Sequence, residues 1–159
     1  MFCLYNVYYI EDYYRLRSVV CVSNDEQKLK DYIVTANQQY QEKLSLFNRY
    51  IEINKQLKEI VESLPSEKIT MPTPWPNVKG PFTPEQKAEH QRLKDAYNAA
   101  MMQYSDRFNL EAQAKQDKAI KQYCEQNSVD ETSLDRNQLF VWLPKPEEPE
   151  FEIDQVKEI

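Results

Sequence analysis

Glycine is almost missing from this chain: Gly80 is the only one in 159 residues. Phosphate-cradling loops, nucleophile elbows and dinucleotide-binding turns need positive φ or close approach of a ligand to the backbone, and glycine supplies both. One glycine therefore excludes most nucleotide-handling enzyme folds. Histidine is as scarce. His90, in Ala88-Glu89-His90-Gln91, has neither a second imidazole for a metal pair nor a nucleophile beside it, and reads as a helix-surface residue. The three cysteines, Cys3, Cys21 and Cys124, are widely spaced and contain no CxxC pair, so neither a disulfide framework nor a zinc module is expected. Met1–Asn6 lacks a basic n-region, its apolar run breaks at Asn6, and Glu11-Asp12 follow. Neither a signal peptide nor a membrane span is expected, and the reading is a reduced, cytoplasmic protein without a cofactor.

An excess of positive charge is also absent. The net charge is -6, and residues 127–159 hold nine acidic against three basic side chains, whereas residues 84–126 balance at seven each. No basic stripe is available to neutralise phosphates, which argues against direct nucleic-acid binding. The run Glu147, Glu148, Glu150, Glu152 and Asp154 lacks the glycine turn and ligand spacing of a calcium loop. An acidic end of this kind keeps a chain solvated, docks on a basic partner or imitates nucleic acid.

Apolar and aromatic residues are plentiful by contrast, with eleven Tyr, six Phe and a 41% hydrophobic fraction, and they fall into periodic segments. Residues 1–22 predict a β-hairpin turning at Glu11-Asp12-Tyr13. Its even positions pair as Phe2 with Val22, Leu4 with Val20, Tyr8 with Leu16 and Ile10 with Tyr14, and the same register sets Cys3 opposite Cys21. Ser23-Asn24-Asp25-Glu26 reads as a capping box opening a helix over 24–64. Its stripe of Leu29, Ile33, Ala36, Tyr40, Leu44, Phe47, Ile51, Leu57, Val61 and Leu64 has a mean spacing near the coiled-coil period, about 3.5 residues, with Asn54 the one polar position in the seam. Thr83-Pro84-Glu85-Gln86 opens a second helix over 84–126, with Leu93, Tyr97, Ala100, Tyr104, Phe108, Ala112, Ala119 and Tyr123 along one side. Between them, residues 65–83 are proline-rich, in Met71-Pro72-Thr73-Pro74-Trp75-Pro76 and Gly80-Pro81-Phe82, and predict extended polyproline II.

These elements imply an α+β fold in one elongated domain: a long antiparallel two-helix hairpin, coiled-coil-like, with a small antiparallel sheet from both termini at its base. The acidic segment 127–159 contributes one or two strands, from Leu139–Leu143 and Phe151–Asp154. A hairpin closed between 64 and 84 sets positions whose numbers sum to about 148 at one level, so Leu44–Ile53 would face residues 95–104. Both stretches are apolar on more than one side. A two-helix seam buries one stripe per helix, so the surplus needs a cover: the linker folded back, a second copy of the chain, or another protein.

Val7-Tyr8-Tyr9-Ile10, Ser18–Ser23, Asp25–Tyr32 and Phe151–Val156 together resemble small phage-encoded accessory proteins of unknown function built as strand, strand, helix and returning strand. The resemblance spans about a quarter of the chain and implies no activity. It implies a viral or mobile-element setting, hence a host cytoplasm. The expected function is a non-catalytic protein-binding module, of the kind a phage inhibitor or adaptor uses against a host or defence protein. The candidate binding residues are Phe47, Tyr50, Ile53, Met101 and Met102 in the apolar band, Trp75 in the linker, and Trp142, Glu147, Glu148 and Glu150 in the acidic segment. Two alternatives stand beside it: an oligomeric coiled-coil scaffold or assembly factor, and an acidic nucleic-acid mimic that blocks a DNA-handling enzyme.

Overall fold

The structure, a computed structural model, describes residues 1–10, 14–76 and 79–157. It is α+β, with two long helices and a small antiparallel sheet built from both ends of the chain. In order these are β1 (Phe2–Ile10), β2 (Tyr14–Ser23), α1 (Glu26–Ser63), α2 (Pro84–Asn127) and β3 (Glu150–Gln155), with single 3-10 turns at Glu131–Ser133 and Arg136–Gln138. The chain divides into two compact units, Met1–Asn54 with Asn137–Ile159, and Lys55–Arg136.

In the first unit β1 is the central strand, in the order β2-β1-β3. The returning C-terminal strand lies beside the N-terminal hairpin as expected, pairing Phe151 with Asn6 and Ile153 with Leu4. Hairpin pairing follows the expected register from Tyr5↔Val19 to Ile10↔Tyr14 and then slips, giving Leu4↔Cys21 and Cys3↔Val22. Val20 is the extra residue of a β-bulge, which rotates the strand and moves the following side chains to the other face. Cys3 and Cys21 therefore sit on opposite faces instead of facing each other, and all three thiols are free. The turn expected at Glu11-Asp12-Tyr13 lies outside the described residues.

The face carrying Leu4, which is fully buried, receives α1, where the Tyr32 ring meets Phe151 edge-on at 6.0 Å. On the opposite face the Arg17 guanidinium lies 4.2 Å over the Tyr5 ring and bonds Glu152 at 3.2 Å and Asp154 at 2.9 Å, while Arg15 pairs with Glu152. Each exposed pair contributes little alone. Together they neutralise two of the C-terminal acids.

Helix α1 is capped differently from the sequence reading. Asp25 Oδ1 accepts the Gln27 amide at 2.9 Å, and Ser23 Oγ accepts the Asp25 amide at 3.0 Å, so aspartate fills the N-cap role. Along α1 the expected stripe is buried or half-buried from Leu29 to Phe47. It then shifts: Ile51 is exposed, and Tyr50 and Ile53 are core, because the C-terminal segment covers that side of the helix.

In the second unit the core comprises Leu57, Ile60, Ala119, Ile120, Tyr123, Cys124 and Leu134. Helix α2 opens with the expected capping box. The Gln86 amide donates to Thr83 Oγ1 at 3.2 Å and the Thr83 amide to Gln86 Oε1 at 2.9 Å. It closes on Ser128 in the left-handed region, φ 53°. The hairpin does not close at 64 against 84. Lys115 Nζ donates to Ser66 Oγ at 2.5 Å, and the Glu67 amide donates to Glu111 Oε1 at 2.5 Å, so the chain leaves α1 level with Lys115. The linker then returns along α2 as far as Trp75, which packs on Tyr97 at 5.0 Å and His90 at 6.2 Å. Nine residues of polyproline II from Ser66 to Trp75 cover about 28 Å, and α2 from Lys115 to Tyr97 covers about 27 Å. Burial in the strap recurs every third residue, at Ile69, Pro72 and Trp75, with the residues between them exposed. This is the period of that helix.

Candidate protein-binding surface

A second strap, in the first unit, carries the features of a display site. Phe140, Leu143, Pro146 and Pro149 are half-buried, and the six residues between them are exposed. The three-residue period holds again. Pro146 and Pro149 line a small groove with Ala36, Tyr40 and Lys43 of α1. The segment Leu139–Leu143, expected as a buried strand, is therefore no strand. Only Leu139 is core, and Val141 is 48% exposed.

The physical reason is Asn54. Its Nδ2 donates to the Gln138 carbonyl at 2.9 Å, and its Oδ1 accepts the Phe140 amide at 2.8 Å, so one side-chain amide satisfies the backbone on both sides of Leu139. Phe140 is held at φ 57°, a region that a bulky residue enters only under constraint. Beyond this turn Trp142 stands 84% exposed. An indole left in water at the tip of a clamped, strained turn is the residue type most enriched at binding hot spots.

The acids of the C-terminal segment fall into two sets, paired and unpaired. Glu131 pairs with Arg136, and Glu152 and Asp154 pair with Arg15 and Arg17. Among the described residues Glu147, Glu148 and Glu150 make no ion pair, and all three are exposed.

The other candidate residues are divided by the fold. Tyr50 and Ile53, 4% and 3% exposed, are core residues and are withdrawn from any surface. Phe47 and Met101 are half-buried, and Met102 is exposed. Trp75 is half-buried on α2 by its contacts with Tyr97 and His90. Phe82 also stacks on His90 at 5.7 Å, so the histidine, expected bare on the helix surface, is half-buried against aromatic rings.

Two surfaces escaped the sequence reading. Tyr8, Ile10, Tyr14 and Leu16, expected on a single hairpin face in pairs, are exposed at the far end of the ribbon, because β3 reaches only as far as Val7. In the second unit a groove of about 700 Å3 runs between the start of the linker and α2, lined by Pro65, Leu110 and Ala114 with charges of both signs, Arg107, Lys115 and Lys118 beside Glu67 and Glu111. Leu110 is 66% exposed within it. The signal was present in the sequence as Arg107, Leu110, Ala114 and Lys118, spaced three and four apart along one helix side.

Among the described residues no group of three His, Cys, Asp or Glu is placed to hold a metal ion, and no helix is long and apolar enough to cross a membrane. No family model, curated protein or solved structure gives a significant match to this chain.

Proposed function

We propose that this chain is a non-catalytic protein-binding module whose C-terminal strap is the recognition element. One observation carries this reading: Trp142 is almost wholly solvated although it follows a turn strained at Phe140 and clamped by the two hydrogen bonds that the Asn54 side chain makes, one donated and one accepted. Ordering a turn at a cost in backbone strain only to solvate an indole is unfavourable unless the indole is used. Polyproline II supports the same role, since it has no internal hydrogen bonds and arrives at a partner already ordered. Glu147, Glu148 and Glu150, which make no ion pair among the described residues, select a partner surface that is basic at about 15–25 Å along from an apolar slot. The phage-like pattern of the two ends suggests an inhibitor or adaptor acting on a host or defence protein. A photo-crosslinker in place of Val141, beside the indole, tests the reading in bacterial cells. A discrete crosslinked protein, lost on Trp142→Ala, is expected. Equal crosslinking with and without the indole would remove the strap from recognition.

A further inference from the structure

The partner chemistry that Trp142 calls for exists on this chain itself. The groove is lined by the apolar Pro65, Leu110 and Ala114 and by three cations, Arg107, Lys115 and Lys118, against two carboxylates, Glu67 and Glu111. Its volume of about 700 Å3 falls in the range that accepts a compact ligand, roughly 300–1,000 Å3, and so has room for an indole with its neighbouring backbone. Part of its charge is already engaged. Arg107 lies 3.5 Å from Glu67, Lys115 bonds Ser66, and Glu111 accepts the Glu67 amide. Lys118 makes no ion pair among the described residues, and three cations against two carboxylates leave the lining one positive charge to offer. The strap carries the opposite sign in Glu147, Glu148 and Glu150, which make no ion pair among the described residues. Both surfaces are open: Trp142 is 84% and Leu110 66% exposed.

We infer that the groove takes the Trp142 strap of a second copy of this chain, with the indole on Leu110 and Ala114 and Glu147, the nearest strap carboxylate at about 16 Å along the strap, towards Lys118. This rests on the reading of Trp142 as a binding residue and adds its occupant. The contact is heterologous, one patch meeting a different patch, so it either closes as a small oligomer or continues as a chain. Apolar burial of the indole supplies affinity, and the charges fix orientation.

Sedimentation velocity on the chain alone, from about 1 to about 500 µM, spans the affinities expected of one such contact. The sedimentation coefficient should rise with concentration, whether to a closed oligomer or a longer assembly. Trp142→Ala and Leu110→Glu, both at exposed positions that leave the core intact, should each weaken association at least about tenfold. The deciding arm mixes the two variants. One keeps the groove and the other keeps the indole, so together they should associate while each alone does not. A wild-type chain that stays monomeric throughout, a Trp142→Ala chain that associates as well as wild type, or a mixture that stays apart overturns the inference. A monomeric wild type that still crosslinks from position 141 to another protein leaves the binding-module reading in place. A crosslink only to the chain itself removes the external partner and keeps this one.

Discussion

Replacing Asn54 by alanine deletes both hydrogen bonds that hold the Phe140 turn, at 2.9 Å to the Gln138 carbonyl and 2.8 Å from the Phe140 amide. Each is part-buried, and a net contribution of about 1 kcal/mol apiece is the usual figure, with a further cost where a group stays buried without a partner. Phe140 then has no reason to remain at φ 57°. Its relaxation returns part of the strain, of order 1 kcal/mol. The balance is a loss of about 1–2 kcal/mol, concentrated in the strap. The two units need not unfold together, so a single denaturation midpoint is a poor readout. Amide exchange at Phe140 should accelerate by about tenfold or more, while Leu4 and Val7 in β1 keep wild-type protection. Asn54→Asp should not rescue: it retains an acceptor for the Phe140 amide but sets an oxygen against the Gln138 carbonyl. Unchanged exchange at Phe140 in the alanine variant would refute the clamp.

Three further outcomes follow from the packing. Ile69→Asp, on the inward row of the linker strap, should cost about 1–2 kcal/mol and release Trp75, seen as a red shift of its emission in a Trp142→Phe background, whereas Thr70→Asp on the outward row should do neither; equal effects would deny the three-residue period. Thr83→Ala removes one half of the capping box and should lower stability by about 1 kcal/mol, read by urea unfolding of the helical signal. Towards a disulfide thiol reagent, half-buried Cys21 should react first, with Cys3 and Cys124 lagging. Burial pushes the Cys124 thiol up, with Glu131 and Asp130 adding to it, so its lag should be widest at neutral pH and shrink in alkali; three equal rates would contradict the burial assigned here.

Features set by near neighbours in sequence were the legible ones. The start of α2 needs only Thr83, Pro84 and Gln86, which carry their own hydrogen bonds, and the outer hairpin register needs only alternation between Tyr5 and Tyr14. The bulge at Val20 was not legible, because it reconciles pairing to β1 with the packing of α1 on a single face. Proline density marked the linker as polyproline II, yet its path depends on which helix offers aromatic rings at the right level, here Tyr97 and His90. The run Leu139–Leu143 reads as a buried strand from composition alone. Two quieter signals pointed elsewhere: Asn54 as the one polar residue in an apolar seam, and the three-residue spacing of Phe140, Leu143, Pro146 and Pro149, a period that belongs to neither strand nor α-helix.

That spacing links the fold to its use. A strand laid on a core gives half its residues to the interior, whereas a polyproline II strap gives one in three and presents the rest. On the C-terminal strap the presented residues include Val141, Trp142, Lys145, Glu147 and Glu148, all exposed. The backbone between them keeps its N–H and C=O groups unused by any ladder. Prolines at 144, 146 and 149 have already removed much of the chain entropy that a partner would otherwise have to overcome. Asn54 then acts on binding without touching the partner: it holds the turn that aims the indole. Its loss should weaken association even though Trp142 and every acidic residue remain in place, and the weakening should track the fraction of strap released, as measured by exchange at Phe140. Binding that survived full release of the strap would mean that the indole is recognised as a flexible chain, and that the strain at Phe140 serves the fold alone.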